Sequence, residues 1–296
     1  MSPYEGKSVT EVATGSRSGK GREGNARQGS RSGARPLRLA DQTWAVLGGW
    51  VLLTACILAA WQWAGDTGLI NPLFFSYPSA IFEALLAALK NGLIVDAEYT
   101  LGASLIGFAA AAVAGVVVAL LLSQSAYLYK LVNPYFTALN TLPRVALAPL
   151  FVMWWGIGLF SHIVMAASLT FFVVFANTIA GIENIDQDHL LLAKLQGATR
   201  WQTFRWFVFP SSLPSIFVGL ELGFIFGMLG VVSGEMIVGE HGFGVRLQRD
   251  AGIFDTKDYF ACLLVLMVIT TLITFGFQLA KRYLIRWKSA HITSRV

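Results

Sequence analysis

The chain has 296 residues, of which 55% are hydrophobic and only 13% charged, with a mean hydropathy of +0.60; soluble domains carry about 25% charged residues, so a soluble globular protein is excluded and a membrane protein is expected. The net charge of +5 lies wholly in residues 1–40, eight Lys/Arg against three Glu, while the remainder balances at 14 basic and 14 acidic residues. A basic excess confined to one tail ahead of a membrane domain reads as an orientation signal, not as a nucleic-acid surface.

Residues 1–40 are rich in Gly, Ser and Arg and nearly free of large apolar side chains. Such a segment cannot bury enough surface to offset its ordering entropy, so a disordered cytoplasmic tail is expected. Gly6-Lys7-Ser8 imitates the end of a phosphate-binding loop, but Met1 stands where the first glycine belongs and no strand precedes it. No ATP site is expected in this chain.

Six apolar runs follow, near 44–64, 99–122, 131–154, 159–181, 212–234 and 259–280. Each is long enough to cross a hydrocarbon core about 30 Å thick, and spans of this kind must be helical. The fold class expected is therefore an all-α membrane protein with six transmembrane helices over residues 41–290. Cys56 and Cys262 fall inside these runs, where they act as small hydrophobes and imply neither a disulfide nor a metal site. Lys130, Lys194, Arg200, Arg205, Lys281, Arg282, Arg286 and Lys288 share one side with the tail, whereas Asp66, Glu83, Asp96 and Glu98 dominate the first loop opposite. Both termini are thus expected on the cytoplasmic side.

Between the first two runs, Asn71-Pro72 and Tyr77-Pro78-Ser79 punctuate a loop, and Ser79 to Leu89 reads as an amphipathic helix along the outer surface. The second run is dense in small residues, Gly102, Ala103, Ser104, Gly107 and Ala109 to Ala112, which suits close helix packing. The third carries Thr141-Leu142-Pro143-Arg144. Pro143 predicts a kink there, and an arginine about 20 Å along a helix from the cytoplasmic side is costly unless it faces water or a partner. Two readings of Arg144 stay open: contact with an anionic cargo through its bidentate fork, or structural pairing with Glu221 or Glu235. Asn140, Asn177, Ser233 and Glu235 are the other candidates for lining a path, with helix-packing hydrogen bonds as the rival role. Trp154 and Trp155 read as interfacial anchors. His162, His189, His241 and His291 lack metal spacing, and no nucleophile–base pair is legible, so an enzyme is not expected.

Residues 186–214 are too polar to span. Leu191, Leu192, Leu195, Trp201, Phe204 and Val208 fall at roughly helical spacings, Lys194, Arg200 and Arg205 supply cations, and Gly197 divides the stretch. A short helix, a glycine turn and a second helix stopped before Pro210 are expected, forming a knuckle on the basic side. This stretch resembles the signature of ABC importer permeases: Glu-Ala-Ala, three residues, Gly, nine residues, Ile, one residue, Leu-Pro. With the glycine on Gly197, Ala193 takes the second alanine and Phe207-x-Phe209-Pro210 the closing Ile-x-Leu-Pro, while Leu191 replaces the Glu and Leu192 the first Ala. Tyr77-Pro78-Ser79-Ala80, and Ala146-Leu147-Ala148-Pro149-Leu150 through Trp155-Gly156-Ile157-Gly158, are similar to the nitrate, sulfonate and taurine branch of that superfamily. Glu235 resembles its Ala-Glu-Met, with Gly234 in place of Ala. The resemblance covers roughly residues 71–282.

What it implies is a type I ABC importer permease fold whose region 186–206 is the coupling helix. Ala193, Lys194, Leu195, Gly197, Ala198, Thr199, Arg200, Trp201 and Arg205 would contact a separate ATPase. The implied partners are a second permease copy, two ATPase subunits that bind ATP and Mg, an extracytoplasmic solute-binding protein docking near 236–258, and the lipid bilayer, with no nucleic acid. The cargo would be a small anionic solute of the nitrate, sulfonate or taurine, or aromatic carboxylate class, with heterocyclic vitamin precursors also open. The alternative is a stand-alone secondary transporter or channel driven by an ion gradient.

Overall fold

The computed structural model describes residues 39–285, with side chains left out at 39–45, 187 and 189. The expected tail therefore lies outside the described residues, apart from Leu39 and Ala40, which are helical, as do Arg286, Lys288 and His291. The chain divides into two units, residues 1–52 and 53–296, each taken by itself. Of the first, the described part is helical from Leu39 onward.

Eleven α-helices occur among the described residues: α1 Leu39–Asp66, α2 Pro78–Lys90, α3 Leu93–Ser123, α4 Ala126–Thr141, α5 Ala148–Trp155, α6 Leu159–Glu183, α7 Gln187–Leu195, α8 Arg200–Thr203, α9 Phe209–Ile237, α10 Phe243–Gly252 and α11 Thr256–Leu284. By length and composition α1, α3, α6, α8 run on into α9, and α11 are able to cross a membrane, and α4 with the segment Arg144–Trp155, bent by 78° at their break, makes a broken span or a re-entrant loop.

The third apolar run is thus broken, not merely kinked. Pro143 has no N–H to give, and it drives Leu142 into an extended conformation, φ −63° and ψ 131°. A 3₁₀ turn, Arg144–Leu147, restarts the helix. The expected stop before Pro210 does not occur. Phe204–Val208 forms a π turn whose Phe209 N–H reaches back to Phe204 O, and this wider turn passes the chain through Pro210 into α9 without needing the missing donor. The acids assigned to a first outer loop are helical instead: Asp66 ends α1, Glu83 lies in α2, and Asp96 and Glu98 lie in the first turns of α3.

The core is α3, α6 and α9. Thr170 Oγ1 donates to Gly223 O at 2.9 Å, and a Cβ at Gly227 would sit 2.6 Å from Thr170 Oγ1. Gly107 of α3 is as tightly placed, 2.7 Å from Ala166 Cβ. Small residues let these backbones approach in a setting where lipid offers no hydrophobic penalty for separation. The amphipathic helix expected at 79–89 is α2, and its Ile81 and Ala84 pack on Ala261 of α11.

Candidate functional site

Three places concentrate chemistry. The first is the knuckle. Asp186 caps α7 by accepting from Asp188 N at 3.0 Å. The helix closes in a Schellman motif, with Ala198 N–H on Ala193 O and Gly197 N–H on Lys194 O, both 3.0 Å. Gly197 supplies the left-handed residue this requires, φ +71°. Thr199 then opens α8 with a capping box: its Oγ1 accepts from Gln202 N at 3.3 Å and its N–H donates to Gln202 Oε1 at 2.8 Å. With the backbone satisfied locally, the side chains are free to face outward. Ala193 is fully buried, whereas Leu195, Trp201 and Trp206 are about two-thirds exposed or more, at 76%, 65% and 68%. Lys194 and Arg200 border a cleft of about 880 Å³ that also meets Gln124 after α3 and Ile182 and Ile185 at the end of α6. Arg205 lies against Trp206, its Cζ 5.8 Å from the ring centre. The sequence-chosen knuckle residues thus fall on α7, the Gly197 turn, α8 and the π turn after it, with Ala193 buried and Leu195 and Trp201 uncovered.

The second place is the break in the third span. Arg144 is nearly buried, at 9% exposure. Its Nη2 donates to Leu139 O and to Asn140 Oδ1, each at 3.1 Å, and its Cζ stands 4.1 Å over the Phe172 ring. The expected pairing with Glu221 or Glu235 is corrected. Glu221 accepts from Gln278 on α11 at 2.9 Å. Glu235 lies at the level of His162, since Gly234 faces His162, and ten residues of α6, about 15 Å of rise, separate that level from Phe172. No carboxylate reaches the guanidinium among the described residues. Of the five path residues chosen from sequence, only Asn140 and Arg144 meet. Asn177 spends its amide on Val173 O of its own helix at 2.9 Å, and Ser233 sits half-buried in α9, near the end that carries Glu235.

The third place was missed from sequence. Glu235 is 1% exposed and anchors the segment 238–250. Thr100 Oγ1 donates to its carboxylate at 2.8 Å, Gly244 N–H donates to Oε2 at 2.9 Å, and Phe243 N–H donates to Thr100 Oγ1 at 2.9 Å. Beside it, Asp96 accepts from Gly242 N–H at 3.2 Å and pairs with buried Arg246 at 3.3 Å. The region 236–258, expected to receive a binding protein, holds a helix, α10, tied by buried polar bonds to α3 and α9. The signal was present: Gly239, Gly242 and Gly244 crowd six residues just after a membrane-embedded acid, and glycine so spaced marks close backbone approach.

Residues 111–289 match the model of the family described as binding-protein-dependent transport system inner membrane component. The riboflavin transport system permease protein RibX of Chloroflexus aurantiacus is 33% identical over 249 residues, 83% of this chain and 92% of that protein. The putative aliphatic sulfonates transport permease protein SsuC of Bacillus subtilis is 27% identical over 82% of this chain and 90% of its own length, and the taurine transport system permease protein TauC of Escherichia coli 28% over 79% and 87%. Among solved structures, a chain of the MetNI methionine ABC transporter in an inward-facing conformation superposes with a TM-score of 0.58 at 20% identity, covering 65% of this chain and 96% of that one.

Proposed function

Because the chain belongs to the family of binding-protein-dependent transport system inner membrane components, we propose that it forms the translocation path of an ATP-driven importer and takes its energy through the knuckle at 186–206. Membership makes it a multi-pass inner-membrane transport component and not an enzyme. The finer reading is as follows. Two copies pair. Each presents Leu195, Arg200 and Trp201 to an ATPase subunit that binds ATP and Mg. A binding protein delivers cargo on the opposite face, and both termini are cytoplasmic. ATP-driven closure of the ATPases moves the knuckles as levers and exchanges inward-facing and outward-facing states.

The observation that carries the reading is the knuckle's stiffness combined with its exposure. A Schellman turn and a capping box fix the angle between two short helices while apolar and cationic side chains stay uncovered. A lever must be rigid to transmit a displacement, and it must be sticky to be pulled. The cargo reading is a small anion of the nitrate, sulfonate or taurine, or aromatic carboxylate class. It is supported by Arg144, a nearly buried cation that pairs with no carboxylate among the described residues, and by the sulfonate and taurine permeases among the relatives.

The test is the complex reconstituted in proteoliposomes. Gly197→Pro and Arg200→Glu are expected to abolish ATP-dependent uptake while the melting temperature of the permease is unchanged, since neither side chain packs in the membrane core. Unchanged uptake by both variants removes the coupling assignment.

A further inference from the structure

The knuckle has a side that its role as a lever leaves unused. On α7, Leu192 and Leu195 are 51% and 76% exposed, and neither borders the cleft of about 880 Å³. Leu190, Leu191 and Lys194, at i, i+1 and i+4, turn to that cleft instead. We propose that the cleft holds an anionic phospholipid from the leaflet on the basic side, with its phosphate at Lys194 and Arg200 and the upper part of an acyl chain on the apolar floor. The lipid site goes beyond the lever reading and shares only its knuckle.

The cleft lies where a headgroup lies. Its remaining walls include Ser123 at the end of α3, Ile182 and Ile185 at the end of α6, and Val208 just before α9. Three helices able to cross the membrane thus leave or enter it at this level, the boundary between hydrocarbon and headgroups. The charge also suits an acidic lipid. Lys194 and Arg200 form no ion pair among the described residues, and the cleft sets these two cations against one carboxylate, Asp188. Basic pockets between helices at the cytoplasmic ends of spans are where acidic headgroups bind. The floor excludes other anions. Ile182, Leu190, Leu191, Phe204 and Val208 offer no side-chain hydrogen bond to a nucleotide or a free phosphate, but they do offer a surface to a hydrocarbon chain. The volume is within the roughly 300–1,000 Å³ of pockets that enclose a small ligand.

Leu191 decides the sign of the site. It is 55% exposed, and it stands where the importer signature places Glu. A carboxylate there would cancel the net charge and repel a phosphate, whereas leucine leaves the cleft cationic and widens its floor. An occupied cleft joins the knuckle to the ends of α3 and α6, so the acidity of the bilayer bears on how the lever moves.

The experiment uses the full-length permease, purified with its co-isolated subunits, in phosphatidylcholine nanodiscs. These are doped with a trace of phosphatidylglycerol carrying a diazirine on its acyl chain or, as reference, with the same trace of diazirine phosphatidylcholine. Crosslinked peptides are mapped by mass spectrometry. Phosphatidylglycerol is expected to label residues 182–208 about fivefold more than phosphatidylcholine does, the preference that one net positive charge near the surface gives. Lys194→Gln and Leu191→Glu each bring that net charge to zero. Each should bring the ratio to about one with the melting temperature unchanged, since both side chains are exposed. Ile182→Trp fills the floor and should lower labelling by both lipids. Excess unlabelled phosphatidylglycerol should compete, and inorganic phosphate and oleate should not. Equal labelling by the two lipids, label confined to other segments, a ratio that survives both Lys194→Gln and Leu191→Glu, or displacement by phosphate or oleate overturns the lipid site. So does label that reaches the cleft only after the co-isolated subunits are stripped, which assigns the cleft to their interface. The readout does not pass through uptake. If Gly197→Pro stops uptake while the two lipids label equally, the lever stands and the lipid site falls; the reverse pair of results removes the lever and keeps the lipid site.

Discussion

The knuckle and the hub around Glu235 are both built from capped turns and glycines, yet they are held in opposite ways. In the knuckle the defining bonds join residues two to five apart, as in Asp186 to Asp188, Thr199 to Gln202 and Ala193 to Ala198. In the hub they join residues 135, 143 and 150 apart, Thr100 to Glu235, Phe243 to Thr100 and Arg246 to Asp96. Gly197 has nothing within 4 Å of where a Cβ would stand, and its need is conformational alone. Gly244 has φ in the ordinary range, but a Cβ added there would run into Val232 O and stand 2.6 Å from Glu235 Cβ, so its need is steric. A lever surface must stay uncovered, so it can be stabilised only from within its own segment. A tie between three helices is buried by nature and takes its stability from distant partners.

The comparison breaks most visibly at Glu235→Ala. Two buried donors, Thr100 Oγ1–H and Gly244 N–H, lose their acceptor. At about 1–3 kcal/mol each, plus the void left behind, the cost is roughly 3–5 kcal/mol. Thermal unfolding of the purified permease should show a large fall in melting temperature. An unchanged value would mean the hub carries no net stability.

Gly244→Ala tests the steric half of the contrast. The added methyl meets backbone at Val232 O and Met236 N, which cannot rotate away, so a cost of about 2–3 kcal/mol is expected from overpacking. Backbone amide exchange should rise over 238–250 while the knuckle keeps its protection. Exchange that rises equally in both regions would show that the two are not independent.

Thr199→Ala is the smallest effect and sharpens the other side. Loss of the capping box costs about 1 kcal/mol, confined to α8 because its bonds reach only Gln202. Exchange should increase in residues 199–203 with the melting temperature unmoved, and ATP-driven uptake should fall only in part. A global loss of stability would contradict the local character assigned to the knuckle.

The knuckle was legible for the same reason it is independent. Gly197, Thr199 and the spacing of Lys194, Arg200 and Arg205 state their geometry within a dozen residues, and caps and turns are read at that range. The one local misreading was Pro210. A proline at this place predicts a stop, but the π turn before it absorbs the missing donor. Arg144 shows the limit from the other direction. Its burial and a kink at Pro143 are readable, but the full break and its surroundings are not, because Phe172 and Asn140 reach it only after α4 bends and lies along α6. Asp96 and Thr100 were counted as a loop acid and a helix residue, since nothing nearby in sequence points to Arg246 or Glu235.

By itself the sequence determined what hydrophobic run length, charge placement and local punctuation decide: an all-α membrane chain with six apolar runs, a basic knuckle and a distortion at Pro143. Tertiary structure alone decided which buried polar groups answer one another. Glu235 turns to Thr100 and Gly244, Asp96 to Arg246 and Gly242, and Arg144 to no acid among the described residues. In an apolar interior a polar group must find a partner, but its type fixes only that one is needed. Which one it meets depends on how helices 100 or more residues apart come to pack.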